Sequence, residues 1–313
     1  MQSSTLPFVA GDRKSIHVHQ WTPDVQAPRA VMVIAHGLAE HGARYAGIAP
    51  TLTDAGLVVY AMDHRGHGKT ADREEDVGFF AAEDGWNRVV QDLWELCEKV
   101  KGLHPGLPLV LLGHSMGSFL AQTLMYKHGE GFSAVILSGS NGKVGPLRLI
   151  GVGVTELEIL RLGPRGRSAL VHAMSFADFN RPFKPARTDF DWLSRDHATV
   201  DAYIADPRCG FRATVLLWNQ FLKGLGELER PSNLAHIPKQ LPVYVVSGRE
   251  DPVSRQCRGL EWLLNAYSEQ GLTQVAHRFY PEARHEILNE TNREEVLRDL
   301  LQWLEPHLKG VKG

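Results

Sequence analysis

Residues 109–125 read L-V-L-L-G-H-S-M-G-S-F-L-A-Q-T-L-M. The apolar run 109–112 is long enough for a buried parallel strand and too short for a helix. It stops at Gly113, and Ser115 sits between Gly113 and Gly117 in the pattern G-x-S-x-G. Beyond Ser118 the apolar residues Phe119, Leu120, Met125 and Tyr126 recur at helical spacing. The pattern carries little weight alone; a strand before it and a helix after it make it a nucleophile elbow. Such a turn strains the serine backbone and lifts its hydroxyl above the sheet edge. The glycines keep side chains out of the turn, and the helix beginning there aims backbone N–H groups at a nearby oxyanion.

Outward from the elbow, strands and helices alternate. Residues 16–21 alternate apolar and polar, as an edge antiparallel strand would. Residues 31–35 form a solid apolar run ending in His36-Gly37-Leu38-Ala39-Glu40-His41. Tyr45, Ile48, Ala49, Leu52 and Ala55 share a helical face that stops at Gly56. The buried run 57–62 closes in Asp63-His64-Arg65-Gly66-His67-Gly68, whose glycines suit a sharp structural turn. A long helix carries Trp86, Val89, Val90, Leu93, Cys97 and Val100 on one stripe. After the elbow come a strand at 134–137, a strand at 243–246, a helix over about 254–271 and a strand at 276–280. A last helix opens with a capping box from Thr291 to Glu294. This rhythm predicts a doubly wound, mostly parallel sheet covered on both faces. It breaks between about 141 and 237, where no buried strand is legible. The expected division is a core domain of residues 1–140 and 238–313 with a helical lid insertion at 141–237.

A chain of 313 residues can bury a full core, and 43% hydrophobic with 22% charged residues describes an ordinary globule. A net charge of −2 gives no reason to expect nucleic acid as a partner. The three cysteines, Cys97, Cys209 and Cys257, form neither a zinc spacing nor a disulfide set. With no secretory signal and no apolar run long enough to span a bilayer, a cytosolic location is expected. The sequence sets no oligomeric state.

In an open parallel sheet, reactive groups collect at the carboxyl ends of strands. Ser115, Asp251 and His285 each follow one, and the order Ser, Asp, His is that of an α/β-hydrolase. At this point the chain resembles the α/β-hydrolases that include monoacylglycerol lipases, lysophospholipases and serine aminopeptidase-like (S33) enzymes. The residues carrying the resemblance are H-G-L-A-E-H at 36–41, D-H-R-G-H-G at 63–68, the elbow, Gly248 with Asp251, and His285. Residues 190–194 and 206–211 of the insertion look like bacterial members.

The resemblance implies the α/β-hydrolase fold and a serine hydrolase cleaving carboxylic esters. His285 would take the Ser115 proton and return it to the leaving alcohol. Asp251 would fix the histidine tautomer, Glu250 being its rival and the family spacing favouring Asp251. The backbone N–H groups of Leu38 and Met116 would form the oxyanion hole, with Glu40 and His41 holding the loop. His36 is expected to pack under that loop, and His114 to point away from the site. Two histidines flanking Glu40 could suggest a zinc peptidase, but they lie on a strand-to-loop turn rather than a helix. No metal and no cofactor are expected.

In the insertion, Leu147, Leu149, Ile150, Val152, Val154, Leu157, Ile159, Leu160 and Leu162 are apolar on more than one helical face. Phe211, Val215, Leu216, Trp218, Phe221 and Leu222 give a second stripe. Both could pack the lid onto the sheet domain. Alternatively Ile150, Leu157 and Leu160 line an acyl site and touch lipid aggregates or a membrane surface. The leading expectation is a small-molecule ester or lipid monoester substrate, a monoacylglycerol or lysophospholipid. A short-chain carboxylesterase, a serine aminopeptidase and a non-enzymatic ligand-binding protein are the other readings.

Overall fold

Five successive runs, Ala30–Ala35 (β3), Leu57–Met62 (β4), Leu109–His114 (β5), Ala134–Ser138 (β6) and Val243–Gly248 (β7), are buried at every position. A strand apolar on both faces is stable only when both faces are covered, which makes these the parallel centre of a sheet. A computed structural model describes residues 1–24, 27–143, 145–175 and 178–308. It places eight strands in the order β1-β2-β4-β3-β5-β6-β7-β8. Strands β3 to β8 (Val275–Tyr280) are mutually parallel; β1 (Gln2–Val9) and β2 (Ser15–Thr22) pair antiparallel, as do β2 and β4. This is the α/β-hydrolase fold.

The helices are α1 (Ala49–Asp54), α2 (Gly85–Leu103), α3 (Met116–His128), α4 (Leu147–Leu162), α5 (Ala169–Ser175), α6 (His197–Ala205), α7 (Val215–Leu228), α8 (Pro231–Ala235), α9 (Arg258–Glu269) and α10 (Arg293–Leu304). Alternation along the strands divides the core in two. Val31, Val33, Leu111 and Val245 pack with α2, α3, α7 and α9, whereas Met32, Ile34, Leu112 and Val246 pack with α1 and α10. Each such side chain contributes about 1.5–3 kcal/mol of burial, so the central strands supply most of the driving force. Strand β3 lies between β4 and β5, so the chain order reverses there. The crevice beyond the carboxyl ends of β3 and β5 is the switch point at which such sheets bind ligands.

Three expectations change, and one strand, β1, is absent from the sequence reading. Strand β2 is interior rather than an edge, because β1 covers it. Strand β1 is mostly exposed and contains Pro7, so it has no apolar alternation to betray it. Helix α9 starts at Arg258, after Arg255, Gln256 and Cys257 have each taken positive φ. The cap of α10 shifts by one residue: Asn292 is the N-cap, and its side-chain amide donates to Glu295 at 3.0 Å.

Between β6 and β7 the described residues hold α4 to α8 and no strand. The second apolar stripe, on α7, is core: Val215, Leu217, Trp218 and Phe221 are buried with α2 and α3. The first stripe, on α4, behaves differently. Val154 and Ile159 pack inward, but Ile150, Leu157 and Leu160 are 58%, 68% and 85% exposed.

Candidate active site

The end of β5 cannot continue as a strand because α3 must begin within two residues. Ser115 takes φ 52° and ψ −120°, outside the regions open to ordinary L-residues. A Cβ on Gly113 would strike the Gly117 carbonyl, and one on Gly117 would strike that of Ala35. Both positions therefore need glycine. The turn is fastened by Ser115 N–H donating to Ser138 O at 2.9 Å and by the Ser118 hydroxyl donating to Ser115 O at 2.6 Å. Ser115 itself is half-buried, and its hydroxyl makes no hydrogen bond among the described residues.

Asp251 follows β7 and is completely buried. Its carboxylate accepts from Val253 N–H at 2.9 Å, from the Ser247 hydroxyl at 3.1 Å and from His285 Nδ1 at 3.0 Å. An acceptor at Nδ1 assigns the ring proton there and leaves Nε2 with its lone pair. Burial would lower the pKa of His285, but the Asp251 charge and hydrogen bond outweigh it and raise the value above 6.5. The ring is wedged between Trp192, 5.1 Å away centre to centre, and His114, 4.8 Å away. Gly139, at φ +54°, leaves the room: a Cβ there would come within 3.0 Å of both histidine rings.

His114 therefore does not point away from the site. It stands beside His285 with Nδ1 3.2 Å from the Ser138 hydroxyl. Burial and then the His285 neighbour push its pKa down to about 4, so it is a neutral ring there. Glu250 is exposed, whereas Asp251 is the carboxylate that reaches the histidine.

The loop after β3 is held from three sides. His36 Nε2 accepts from His64 N–H at 2.9 Å, so Nδ1 carries the proton and donates to Gly37 O at 2.7 Å. Both ring nitrogens are thereby occupied, and His36 is not free to ligate a metal. Glu40 accepts from Gly37 N–H at 2.5 Å; Leu38 N–H and Met116 N–H are among the amides of these two turns that make no hydrogen bond to the described residues. From the insertion, the Tyr203 hydroxyl and Gly210 N–H both donate to Ala39 O at 2.9 Å, and His41 Nε2 lies 2.9 Å from Asp206.

A second connection has no counterpart in the sequence reading. Arg44 donates to Glu40 at 2.7 Å and forks onto Glu286 at 2.6 and 2.7 Å. It thus ties the loop at Gly37 to the residue next to His285. Burial would raise the Glu286 pKa, but Arg44 holds it well below the usual carboxylate range. Glu286 N–H donates to Leu193 O at 2.7 Å and His285 N–H to Trp192 O at 3.3 Å, so the insertion backbone also braces the histidine loop. The i, i+4 spacing of Glu40 and Arg44 was the visible signal; the partner at 286 lies 242 residues from Arg44.

The turn at 63–68 is structural, with Arg65 forked onto Asp12 and Asp92. The three cysteines are buried and unpaired.

A family model described as serine aminopeptidase, S33, matches residues 26–292. The chain is 33% identical to a monoacylglycerol lipase of Mycolicibacterium smegmatis over 92% of each chain. It is 28% identical to a monoglyceride lipase of Mus musculus over 91% of this chain and 88% of the relative. Among solved structures, a thermostable carboxyl esterase from Bacillus coagulans superposes with a TM-score of 0.90 and 27% identity, covering 98% of this chain and 99% of that one. Bacterial and mammalian relatives both match, and neither group is singled out. By the family match and by its fold, the chain belongs to the S33 serine aminopeptidase family of α/β-hydrolases.

Proposed function

We propose that the protein is a serine hydrolase of carboxylic esters, with Ser115 as nucleophile, His285 as general base and acid, and Asp251 as the orienting carboxylate. The observation that carries the reading is the His285 Nδ1–Asp251 bond of 3.0 Å beside a serine held at positive φ. Ser115 Oγ attacks the ester carbonyl while His285 Nε2 takes its proton. Negative charge gathers on the former carbonyl oxygen, to which the N–H groups of Leu38 and Met116 donate. His285 then protonates the departing alcohol. Water, deprotonated by the same nitrogen, releases the acid from the acyl-serine. No hydrogen bond joins Ser115 Oγ and His285 Nε2 among the described residues; catalytic hydrogen bonds often tighten only when substrate binds.

For the substrate we favour a long-chain lipid monoester. Two observations support this: the two curated relatives carry monoacylglycerol or monoglyceride lipase names, and α4 turns a broad apolar face to solvent. On this reading residues 141–237 are a lid. Ile150, Leu157 and Leu160, facing outward, meet the lipid aggregate from which substrate enters. A peptidase reading is less favoured because three of the insertion's acids are already engaged: Asp191 by Arg187 N–H and Thr188, Asp196 as the cap of α6, Asp206 by His41. The three buried thiols fit a reducing compartment, and we place the protein in the cytosol; no helix among the described residues is long and apolar enough to cross a membrane.

The likeness to a carboxyl esterase favours a short-chain alternative, and chain length separates the two. A panel of p-nitrophenyl esters and monoacylglycerols from two carbons upward is the test. Each buried methylene adds about 0.8 kcal/mol, so kcat/KM should climb over several carbons before levelling off. A maximum at two to four carbons would overturn the lipid-monoester reading, and turnover of aminoacyl amides alone would favour the peptidase.

A further inference from the structure

His17 and His19 sit two apart on β2, so their side chains leave the same face of the strand. Asp63, the first residue after β4, lies beside them; its N–H donates to His17 O at 2.8 Å. The Nε2 atoms of His17 and His19 are shielded from solvent, and neither has a hydrogen-bond partner among the described residues. Buried polar nitrogens are ordinarily satisfied, so two orphans on adjacent rings need a cause. The rings meet edge to face, 4.5 Å apart at 73°. His19 Nε2 lies 3.3 Å from Asp63 Oδ1, off line for a hydrogen bond, and one donor atom from each of the three residues falls within 4.8 Å of the others.

We infer that His17, His19 and Asp63 form a binding site for a divalent transition-metal ion, Zn²⁺ above all, apart from the ester chemistry. Two imidazole nitrogens and one carboxylate oxygen are a zinc-type donor set, with a fourth position open to water. Bonds of about 2.0–2.1 Å in a tetrahedral shell put ligand atoms about 3.3 Å apart, the separation already present between His19 and Asp63. His17 closes the remaining distance by turning its ring. The carboxylate is pre-positioned, since Oδ1 accepts from Gly42 N–H at 2.8 Å and Oδ2 from Lys69 N–H at 2.7 Å. Lys69 and Arg208 face His17 and oppose a cation, so the affinity is expected to be moderate. An ion there staples β2 to the turn after β4 and, through Gly42, to the segment behind the 36–41 loop.

The test uses the full chain, stripped with chelator, desalted and titrated with Co²⁺ under visible absorption, then with Zn²⁺. One equivalent of Co²⁺ should give the strong ligand-field band of a four-coordinate N/O site without a thiolate charge-transfer band, and Zn²⁺ should displace it. H17Q and H19Q should each weaken binding at least tenfold, and the metal-induced rise in Tm should vanish in the double variant. Asp63 is left alone because its bonds to Gly42 and Lys69 hold the turn. The proposal is overturned if the wild-type chain takes up no Co²⁺ or if the folded variants bind like wild type. A thiolate band would equally overturn it, because it would put the metal at the other grouping, His41, Asp206 and Cys209.

Discussion

Asp251 acts on His285 in two ways, and substitution separates them. Its carboxylate fixes the Nδ1 tautomer, and its charge keeps the imidazole pKa above 6.5 in a site whose burial would depress it. On the proposed mechanism the neutral ring is the base, so the acid limb of kcat/KM should lie above the free-histidine value. Asp251→Asn should lower kcat by about 10⁴-fold, since an amide can stabilise the wrong tautomer. With the raising influence gone, the residual acid limb should move below about 6.5. A pH–rate series on both proteins reads both effects; an unmoved limb would show that another group controls the titration.

Arg44 and Glu286 make a second residue-scale case. Glu286 has its folded pKa depressed, so its contribution to stability is complete above its unfolded value of about 4.3 and is lost as pH falls through the folded value. Arg44→Met should cost about 3–5 kcal/mol, because it strands Glu40 and Glu286 as buried charges. Glu286→Gln should flatten the acid limb of stability below about pH 4. Denaturant melts from pH 3 to 7 measure both. Ser115, Asp251 and His285 could be proposed from sequence because short motifs at strand ends, read with the family resemblance, point to them, and the fold brings Asp251 and His285 into hydrogen-bond contact. The Arg44 bridge was not, because only the folded sheet brings residues 44 and 286 together.

At the scale of elements, legibility follows burial. Strands β3 to β7 declare themselves as unbroken apolar runs, and α2 by its stripe. Strand β1 does not, since nearly all of its side chains face water and its pairing with β2 is a backbone matter. The two apolar stripes of the insertion look alike in sequence and differ in structure: α7 is buried against α2 and α3, while α4 leaves leucines outward. Periodicity reports that a face is apolar, not what covers it. Because Ile150, Leu157 and Leu160 are exposed, serine at each should change stability by no more than about 0.5 kcal/mol. The same variants should lose vesicle binding and activity on long-chain monoacylglycerol while hydrolysing an acetate ester at the wild-type rate. Equal losses on both substrates would remove α4 from the account of substrate entry.

For the whole molecule, the sheet and the insertion share the work. The sheet delivers the β5 elbow, the β7 carboxylate and the histidine loop to one edge, and the insertion fastens that edge through Ala39, Trp192 and Leu193. On the proposed mechanism everything then depends on one hydroxyl, that of Ser115. The most direct measurement is reaction of the intact protein with a fluorophosphonate, followed by mass analysis of the labelled peptide, alongside hydrolysis by Ser115→Ala. A single adduct on Ser115, absent from a folded Ser115→Ala protein that has lost essentially all esterase activity, is the predicted result. An adduct on any other serine, or esterase activity surviving in Ser115→Ala, would contradict it.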